Sequence, residues 1–194
     1  DAMELLMPEL TIRECGEEAI RLTNELFQQS EQSFMAYLLN ESDLAWCIAS
    51  TRNFPPERQL PWDHAGQTFQ NDNGFSFCFK FLDMQNRPAG ACICEYCSDN
   101  VLNIEMIQNF QIKPSILDGN TLKFMLYTIV FFLLLTQGTG VRLMFPINEN
   151  VATYYVEKHG FQDLTGDGSK EILYRSAEDL LNWFEQNNRS VDSE

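Results

Sequence analysis

The run Phe124–Thr136, FMLYTIVFFLLLT, constrains the fold more than any other part of the sequence. It contains no charged side chain, so a helix built from it is apolar on every side and belongs in a protein interior. Thirteen residues are too few to cross a bilayer, which takes about 20 in a helix. We therefore predict a buried helix, Leu122–Thr136, in a globular domain and no membrane association.

Alternating apolar and polar residues predict strands before and after this helix. Phe75–Asp83, Ala89–Cys97 and Asn103–Lys113 follow one another with short turns, as in an antiparallel three-strand meander. Val141–Ile147 follows the helix and is apolar enough to be a central strand. A strand on each side of the long helix predicts one parallel pair within an otherwise antiparallel sheet.

The N-terminal part is predicted to begin with a strand, Leu10–Glu14, because its residues alternate. Apolar residues at helical spacing then predict a helix over Glu17–Leu39, broken near Ser30, and a shorter one over Glu41–Thr51. Residues 53–74 are rich in Pro, Asn, Gln and Gly and read as a long irregular loop. Loops of this length in compact domains often carry function.

The C-terminal part is predicted to contain a helix, a hairpin and a final helix. The first helix stops at Gly160, a residue suited to a left-handed C-cap. Phe161–Leu164 and Glu171–Tyr174 form the hairpin, and Ser176 caps the last helix, which ends in polar residues expected to be disordered. We expect a leader over residues 1–9, a single domain over 10–175, and a helix and polar tail over 176–194.

The chain is strongly acidic, with 28 Asp and Glu against 13 Lys and Arg and a formal net charge of -15. This charge repels nucleic acid and anionic membranes, so we predict neither as a partner. It favours a cationic partner or substrate, although acidity also serves solubility alone.

The six cysteines are too sparse for a disulfide scaffold in 194 residues, which indicates a reducing compartment. With no secretory signal in view, we expect a cytoplasmic protein. The segment CICEYC raises the alternative of a zinc site. Alternation places Cys92 and Cys94 on one strand face and Cys97 on the other, so buried thiols are the favoured interpretation and no metal is predicted.

Two segments together resemble the GNAT superfamily of acetyl-CoA-dependent N-acetyltransferases. The first is Asn150–Phe161, NVATYYVEKHGF, which is similar to the family segment N-x-x-A-x-x-[aromatic]-Y-x-K-x-G-F. The second is Ile116–Thr121, ILDGNT, which corresponds to the acyl-CoA motif [RQ]-x-x-G-x-[GA] before a helix. The resemblance extends over Leu10–Tyr174 and implies an α/β (α+β) fold, with a mixed, mostly antiparallel sheet of six or seven strands and helices on both faces.

The resemblance implies acetyl-CoA as co-substrate, bound where two parallel strands diverge. The strands would be Asn103–Lys113 and Val141–Ile147. Backbone groups at a helix start suit the pyrophosphate. The residues that the resemblance assigns to cofactor binding are Phe110, Gln111, Ile112, Asp118, Gly119, Asn120, Thr121, Leu122, Asn148, Asn150 and Tyr155.

The resemblance also implies transfer of an acetyl group to a primary amine by direct attack. Glu105 is the candidate base and Tyr155 the candidate acid, with Tyr154 second. The 53–74 loop, through Trp62, Asp63 and His64, is expected to border the acceptor site. The expected acceptor is a cationic amine, either a small molecule or a lysine or N-terminus of a protein. The resemblance also leaves open whether the protein forms a homodimer.

Departures from the family pattern support an alternative. Ile116 replaces Arg or Gln, and Asp118 adds a negative charge to the phosphate loop. Val156 stands where the family commonly has its tyrosine acid, and Glu149 stands at the family's Asn position. The alternative is a catalytically degenerate protein of the same fold that acts through protein contacts.

Overall fold

The computed structural model describes residues 10–65, 74–110 and 121–192. Seven strands form one sheet in the order β1-β2-β3-β4-β5-β7-β6. The strands are β1 (Phe34–Leu38), β2 (Ser76–Asp83), β3 (Pro88–Tyr96), β4 (Val101–Asn109), β5 (Gly140–Met144), β6 (Gln162–Asp163) and β7 (Ile172–Ser176). The described helices are α1 (Ile12–Gln29), α2 (Asp43–Thr51), α3 (Thr121–Thr136), α4 (Glu149–His159) and α5 (Ala177–Asp192), with 3-10 turns at Pro56–Arg58 and Trp62–His64.

The sheet has the predicted mixed topology. β2, β3 and β4 are consecutive antiparallel neighbours, which confirms the meander. β4 and β5 are parallel and are joined through α3, as the two strand patterns around the apolar run indicated. β5 pairs antiparallel with β7, and β7 pairs antiparallel with β6.

Two apolar cores lie on opposite faces of the sheet. Phe77, Phe79 and Phe81 of β2 point into the larger core, which also contains residues of α1, α3, α4 and α5. Cys78, between them in sequence, belongs to the smaller core under α2 and the 3-10 turns. Successive residues of a strand point to opposite faces, so this division confirms the predicted helices on both sides.

Helix α3 is the buried helix that its composition predicts. Met125, Leu126, Ile129 and Phe132 are fully buried in the larger core. The Phe132 ring stacks on Phe77 with centroids 4.4 Å apart, which joins the helix to the meander. No helix in the described part of the chain has the length and apolar character needed to cross a membrane.

The predicted N-terminal strand, Leu10–Glu14, is wrong, because helix α1 begins at Ile12. Thr11 and Glu14 form a capping box: the Glu14 N–H donates to Thr11 Oγ1 at 3.1 Å, and the Thr11 N–H donates to Glu14 Oε1 at 3.3 Å. These two bonds satisfy backbone donors that a helix start leaves open. The cap therefore outweighs the alternation that suggested a strand.

The predicted helix over Glu17–Leu39 is correct only to Gln29, and Phe34–Leu38 is the edge strand β1. The chain breaks beside Ser30, where Glu31 adopts a positive φ of 55°. The Asn24 side chain then binds the open side of β1, accepting from the Ala36 N–H at 2.7 Å and donating to the Ala36 carbonyl at 2.9 Å. A helix side chain thus completes a strand edge that would otherwise invite pairing with another chain.

The remaining predicted elements are present with shifted ends. α2, α4, the β6–β7 hairpin and the Ser176 cap all form, and the Asp179 N–H donates to Ser176 Oγ at 3.1 Å. Helix α5 continues to Asp192, so the expectation of disorder in its polar end is wrong over those residues. Residues 111–113 of the predicted third meander strand lie outside the described residues.

Asn24→Ala is expected to lower the free energy of unfolding by about 1–3 kcal/mol, because it leaves the Ala36 N–H and carbonyl without their partner. Chemical denaturation of the purified variant measures the loss. Asn182→Ala, an exposed position on α5, is the control and should change stability by less than about 0.5 kcal/mol. Equal effects of the two substitutions would show that the Asn24 side chain does not stabilise the edge strand.

Candidate active site between strands β4 and β5

The parallel strands β4 and β5 pair over only part of their length. Their register runs over four positions, from Val101 opposite Gly140 to Ile104 opposite Leu143. β4 continues for five residues beyond Ile104, to Asn109. The two strands therefore diverge after Ile104, as the resemblance implied, and open a gap toward the end of β4.

A β-bulge at Glu105 lies where the strands part. Ile104 is opposite Cys94 and Met106 is opposite Ile93, so Glu105 is an extra residue on β4. A bulge bends its strand and increases its twist. It also changes which side chains face each core: Ile104 lies in the larger core, whereas Met106 lies in the smaller one.

The end of β5 is held on the side of β7. The Phe145 N–H donates to the Glu171 carbonyl at 2.7 Å, just before β7 begins. Phe145 has a φ of 49° and its side chain is 65% exposed. A positive φ in a residue other than glycine costs on the order of 1 kcal/mol or more. This strained residue turns the chain after β5 at the edge of the gap.

A cavity of about 230 Å³ occupies the gap. Its wall combines the diverging ends of β4 and β5 with the start of α4 and two residues before Trp62. The wall residues are Glu57, Leu60, Glu105, Met106, Ile107, Gln108, Asn109, Leu143, Met144, Phe145, Pro146, Ile147, Asn148, Val151 and Tyr155. Both charged residues of this described wall are glutamates, so the cavity is suited to a cationic group.

Tyr155 reaches the wall from helix α4. The Asn148 side chain caps this helix by accepting from the Val151 N–H at 2.9 Å, and Gly160 ends it with a φ of 69°. Tyr155 is 8% exposed, and none of the described residues accepts a hydrogen bond from its hydroxyl. Burial, followed by the neighbouring Cys92 and Tyr154, raises the pKa of Tyr155, so the hydroxyl stays protonated at neutral pH.

Glu105 lies on the same wall, at the bulge where the strands part. Glu105 is exposed as a residue, although the atoms around its carboxyl group exclude part of the solvent from it. Loss of solvent, and then the negative charge of Glu95, raise the pKa of Glu105. A carboxylate with a raised pKa is a stronger base than an ordinary surface glutamate.

Residues 54–65, which we term the strap, cross from one side of the gap to the other. Trp62 is 1% exposed, and its indole N–H donates to Gln108 Oε1 of β4 at 2.6 Å. At the opposite side, Asn148 Nδ2 donates to the Glu57 carbonyl at 3.4 Å. The strap is therefore attached both to β4 and to the start of α4.

The residues predicted to bind the cofactor divide into three groups. Asn148 and Tyr155 lie on the cavity wall. Phe110 is buried in the smaller core against Trp62, with ring centroids 5.5 Å apart, and is not among the wall residues. Leu122 packs against the larger core in the first turn of α3, and Asn150 is exposed on α4 away from the wall.

The predicted phosphate-binding loop lies mostly outside the described residues. This applies to Asp118, Gly119 and Asn120, whereas Thr121 is the first residue of α3. Gln111 and Ile112, predicted to bind the cofactor from the end of the preceding strand, also lie outside the described residues. Their assignment to the cofactor stays a prediction from the resemblance.

The second-choice residues lie apart from the described wall. Tyr154 is exposed, and its hydroxyl is 3.3 Å from His159 Nε2. Asp63 is exposed on the strap, and the His64 side chain lies outside the described part of the structure. Sequence analysis missed Glu57, Leu60 and Gln108, because their place on the wall depends on contacts between distant segments. For Glu57 and Leu60 the available signal is their place in the long 53–74 loop, which was predicted to border the acceptor site.

Two of the three cysteines in the segment CICEYC pack in the protein interior. Cys92 and Cys94 are both buried in the larger core with their sulfurs 3.4 Å apart, so they share a face as predicted. Cys97 follows β3 and is partly exposed. Among the described residues, no group of three or more His, Cys, Asp or Glu side chains is placed to hold a metal ion.

Comparison with solved structures identifies the fold. A spermidine N-acetyltransferase from Vibrio cholerae, in complex with CoA and spermine, is 14% identical with a TM-score of 0.55, over 77% of this chain and 98% of that one. A chimera of the Vibrio cholerae SpeG enzyme and hSSAT is 13% identical with a TM-score of 0.58, over 78% and 99%. A GNAT-family acetyltransferase from Staphylococcus aureus MU50 is 13% identical with a TM-score of 0.52, over 74% and 99%.

The chain therefore has the fold of the GNAT acetyltransferases, as the two sequence segments implied. No protein-family model matches the sequence. No curated protein matches it significantly either. At these identities the likeness establishes the fold alone.

Trp62→Phe is expected to lower the free energy of unfolding by about 1–3 kcal/mol, because it removes the N–H that pairs with the buried Gln108 side chain. The same substitution should increase hydrogen exchange in the strap. Trp46→Phe is the control, since Trp46 is partly exposed on α2. Unchanged exchange in the strap of Trp62→Phe would show that the Gln108 bond does not hold it.

Proposed function

We propose that the protein is an acyl-CoA-dependent N-acetyltransferase that transfers an acetyl group from acetyl-CoA to a primary amine by direct attack. The observation that carries the proposal is the gap between β4 and β5, whose cavity both Glu105 and Tyr155 line. The GNAT fold of the chain supports it.

The shape and lining of the gap fit the thioester arm of acetyl-CoA. Met106 and Ile107 from β4, with Leu143 and Val151 from the other side, give it apolar walls. The pairing of β4 with β5 ends at Ile104, which leaves room for an extended arm to lie along β4 as an added strand does. By the resemblance, residues 118–122 would bind the pyrophosphate before α3, and the bound co-substrate supplies the activated acetyl group.

Glu105 is proposed to accept a proton from the acceptor amine. An ammonium ion has no lone pair, so it must lose a proton before nitrogen can form the new bond to the acetyl carbon. Glu105 lies where the two strands part, and its raised pKa favours proton uptake, directly or through one water. The carbon–sulfur bond then breaks as the amide forms.

Tyr155 is proposed to donate a hydrogen bond to the departing sulfur. A thiol has a pKa of about 8.5, and burial raises the pKa of Tyr155 further above its ordinary value of about 10. Complete proton transfer from tyrosine to a thiolate is therefore uphill. Tyr155 stabilises the developing negative charge through its hydrogen bond, and the sulfur takes its final proton from the solvent or the amine.

The charge of the site supports an amine acceptor. Glu57 and Glu105 make the described cavity wall negative, and the whole chain carries a formal charge of -15. A positive acceptor is attracted to such a site. The Vibrio cholerae enzyme of the same fold, whose structure holds CoA and spermine, is consistent with an amine in this chemical class. A protein lysine or N-terminus fits the same charge.

A degenerate protein acting through contacts with other proteins is the second candidate, and one observation favours it. Val156, at the family's tyrosine position, packs partly buried against the larger core. The residue at that position therefore supplies no acid. The two candidates differ in acetyl transfer and in the binding of coenzyme A on which that transfer depends.

Acetyl-CoA and free coenzyme A are each expected to raise the melting temperature of the protein. A ligand at 100 times its dissociation constant adds about 2.7 kcal/mol to the free energy of unfolding. Differential scanning fluorimetry over a ligand series measures this shift, with ATP as a control for binding through the nucleotide alone. If neither acetyl-CoA nor free coenzyme A raises the melting temperature at millimolar concentration, the result favours the degenerate protein.

Glu105→Gln is expected to lower kcat by about a hundredfold or more, because it removes the base. Tyr155→Phe should lower kcat to a smaller extent, and both variants should keep the wild-type affinity for coenzyme A. Tyr154→Phe, off the cavity wall, is the matched control. Steady-state kinetics with acetyl-CoA and a primary amine measure these effects, and unchanged kcat in either variant would remove that residue from the proposed mechanism.

The pH dependence should report Glu105 directly. The carboxyl group must be deprotonated to act as a base, so kcat/KM should rise with pH through the raised pKa of Glu105. Glu95→Gln removes the neighbouring negative charge that raises this pKa, and should move the rise to lower pH. A pH profile that is the same in both proteins would contradict the assignment.

A further inference from the structure

The two carboxylates of the cavity wall occupy different places along the gap. Glu105 is the first residue after the last paired position, Ile104 with Leu143, and so lies where the gap begins. Glu57 is bonded through its carbonyl to Asn148, five residues beyond Leu143 at the start of α4. The two glutamates therefore line the cavity from different segments, Glu105 from β4 where the gap begins and Glu57 from the strap beside the start of α4.

The position of Glu57 is fixed by contacts to both sides of the gap. Asn148 Nδ2 donates to its carbonyl, and five residues later Trp62 is bonded to Gln108. Within the strap, Gln59 Nε2 donates to the Phe54 carbonyl at 2.7 Å and closes the loop that carries Glu57. Glu57 is exposed, yet the backbone that carries it has little freedom to move away from the cavity.

The proposed reaction gives the two carboxylates different roles. The reacting nitrogen loses a proton to Glu105 and ends the reaction in a neutral amide. Glu57 has no part in that proton transfer. A second carboxylate in the same cavity stabilises an acceptor that has another protonated nitrogen more than an acceptor that has none.

The positive charge that would pair with Glu57 has to come from the acceptor. Among the described residues of the cavity wall there is no Lys, Arg or His. Arg142, the cation on β5, is bonded to Asp99 at 2.7 Å and to Asn103 at 2.6 Å, at the paired end of the strands. Tyr155, about nine-tenths buried, lines the same cavity and has no hydrogen bond to another described residue.

We propose that Glu57 is a specificity-determining residue that selects acceptors carrying a second positive charge at a distance from the reacting amine. This inference rests on the proposed acetyl transfer and adds the class of acceptor, a diamine or a longer polyamine in preference to a monoamine. The strap acts as the acceptor-binding element, and Trp62 and Asn148 are positioning residues for Glu57.

The test compares 1,4-diaminobutane with 1-aminobutane, which have the same carbon chain and differ by one amine. The wild-type protein should have the higher kcat/KM for the diamine. Glu57→Gln should reduce this preference by about tenfold, through a higher KM for the diamine, as expected for loss of one charged hydrogen bond. Its kcat/KM for the monoamine should stay close to that of the wild type.

Glu185→Gln, an exposed change of the same charge on α5, is the control and should leave the preference intact. Glu57→Lys should reverse the preference toward the monoamine. A diamine preference that survives in Glu57→Gln, or equal use of both amines by the wild type, would overturn the inference while leaving acetyl transfer in place. A wild-type protein that acetylates no amine would instead overturn the proposed function itself.

Discussion

The structure of the site depends on the early end of the pairing between β4 and β5. Four paired positions hold the two strands together, and β4 then continues past a bulge at Glu105. On the other side, Phe145 turns the end of β5 and bonds to the carbonyl of Glu171. If the ladder continued past Ile104, the cavity would close and Tyr155 would pack against strand backbone. Every functional statement about the molecule therefore follows from this divergence.

The strap turns an open gap into a site with a defined wall. Trp62 fills the smaller core and is bonded to Gln108 on β4, whereas Glu57 is bonded to Asn148 at the start of α4. Asn148 thus has two roles, because its oxygen caps the helix that carries Tyr155 and its amide nitrogen holds the strap. One asparagine consequently links the positions of the candidate acid and of the second carboxylate.

The sequence allowed the architecture to be predicted where a local pattern and a burial requirement agreed. The apolar run of α3, the alternating meander and the Gly160 cap each specify one structure without distant partners. The two wrong assignments at the N-terminus had other causes. The segment with Thr11 and Glu14 carries both a capping signal and an alternating pattern, and the capping signal prevails. The short apolar Phe34–Leu38 becomes a strand only because β2 and Asn24 bind its two edges.

The candidate site was predictable only in part, for the same physical reason. Glu105 was predicted from its distance to Gly119 and Tyr155 from its place next to the family's tyrosine position, and both residues line the cavity. Glu57 was not found, since nothing in PPER shows that its carbonyl binds a residue 91 positions away. The left-handed Phe145 and the bulge at Glu105 are likewise results of tertiary packing that no local pattern announces.

The local costs of the gap favour a ligand over a purely structural role. Unpairing a parallel ladder loses hydrogen bonds worth about 1 kcal/mol each, and the positive φ of Phe145 adds on the order of 1 kcal/mol of strain. Phe145 is also a large apolar side chain left 65% exposed at the edge of the cavity. In the proposed complex, an extended arm that paired with the open strand edge and covered the exposed ring would turn these features into favourable contacts.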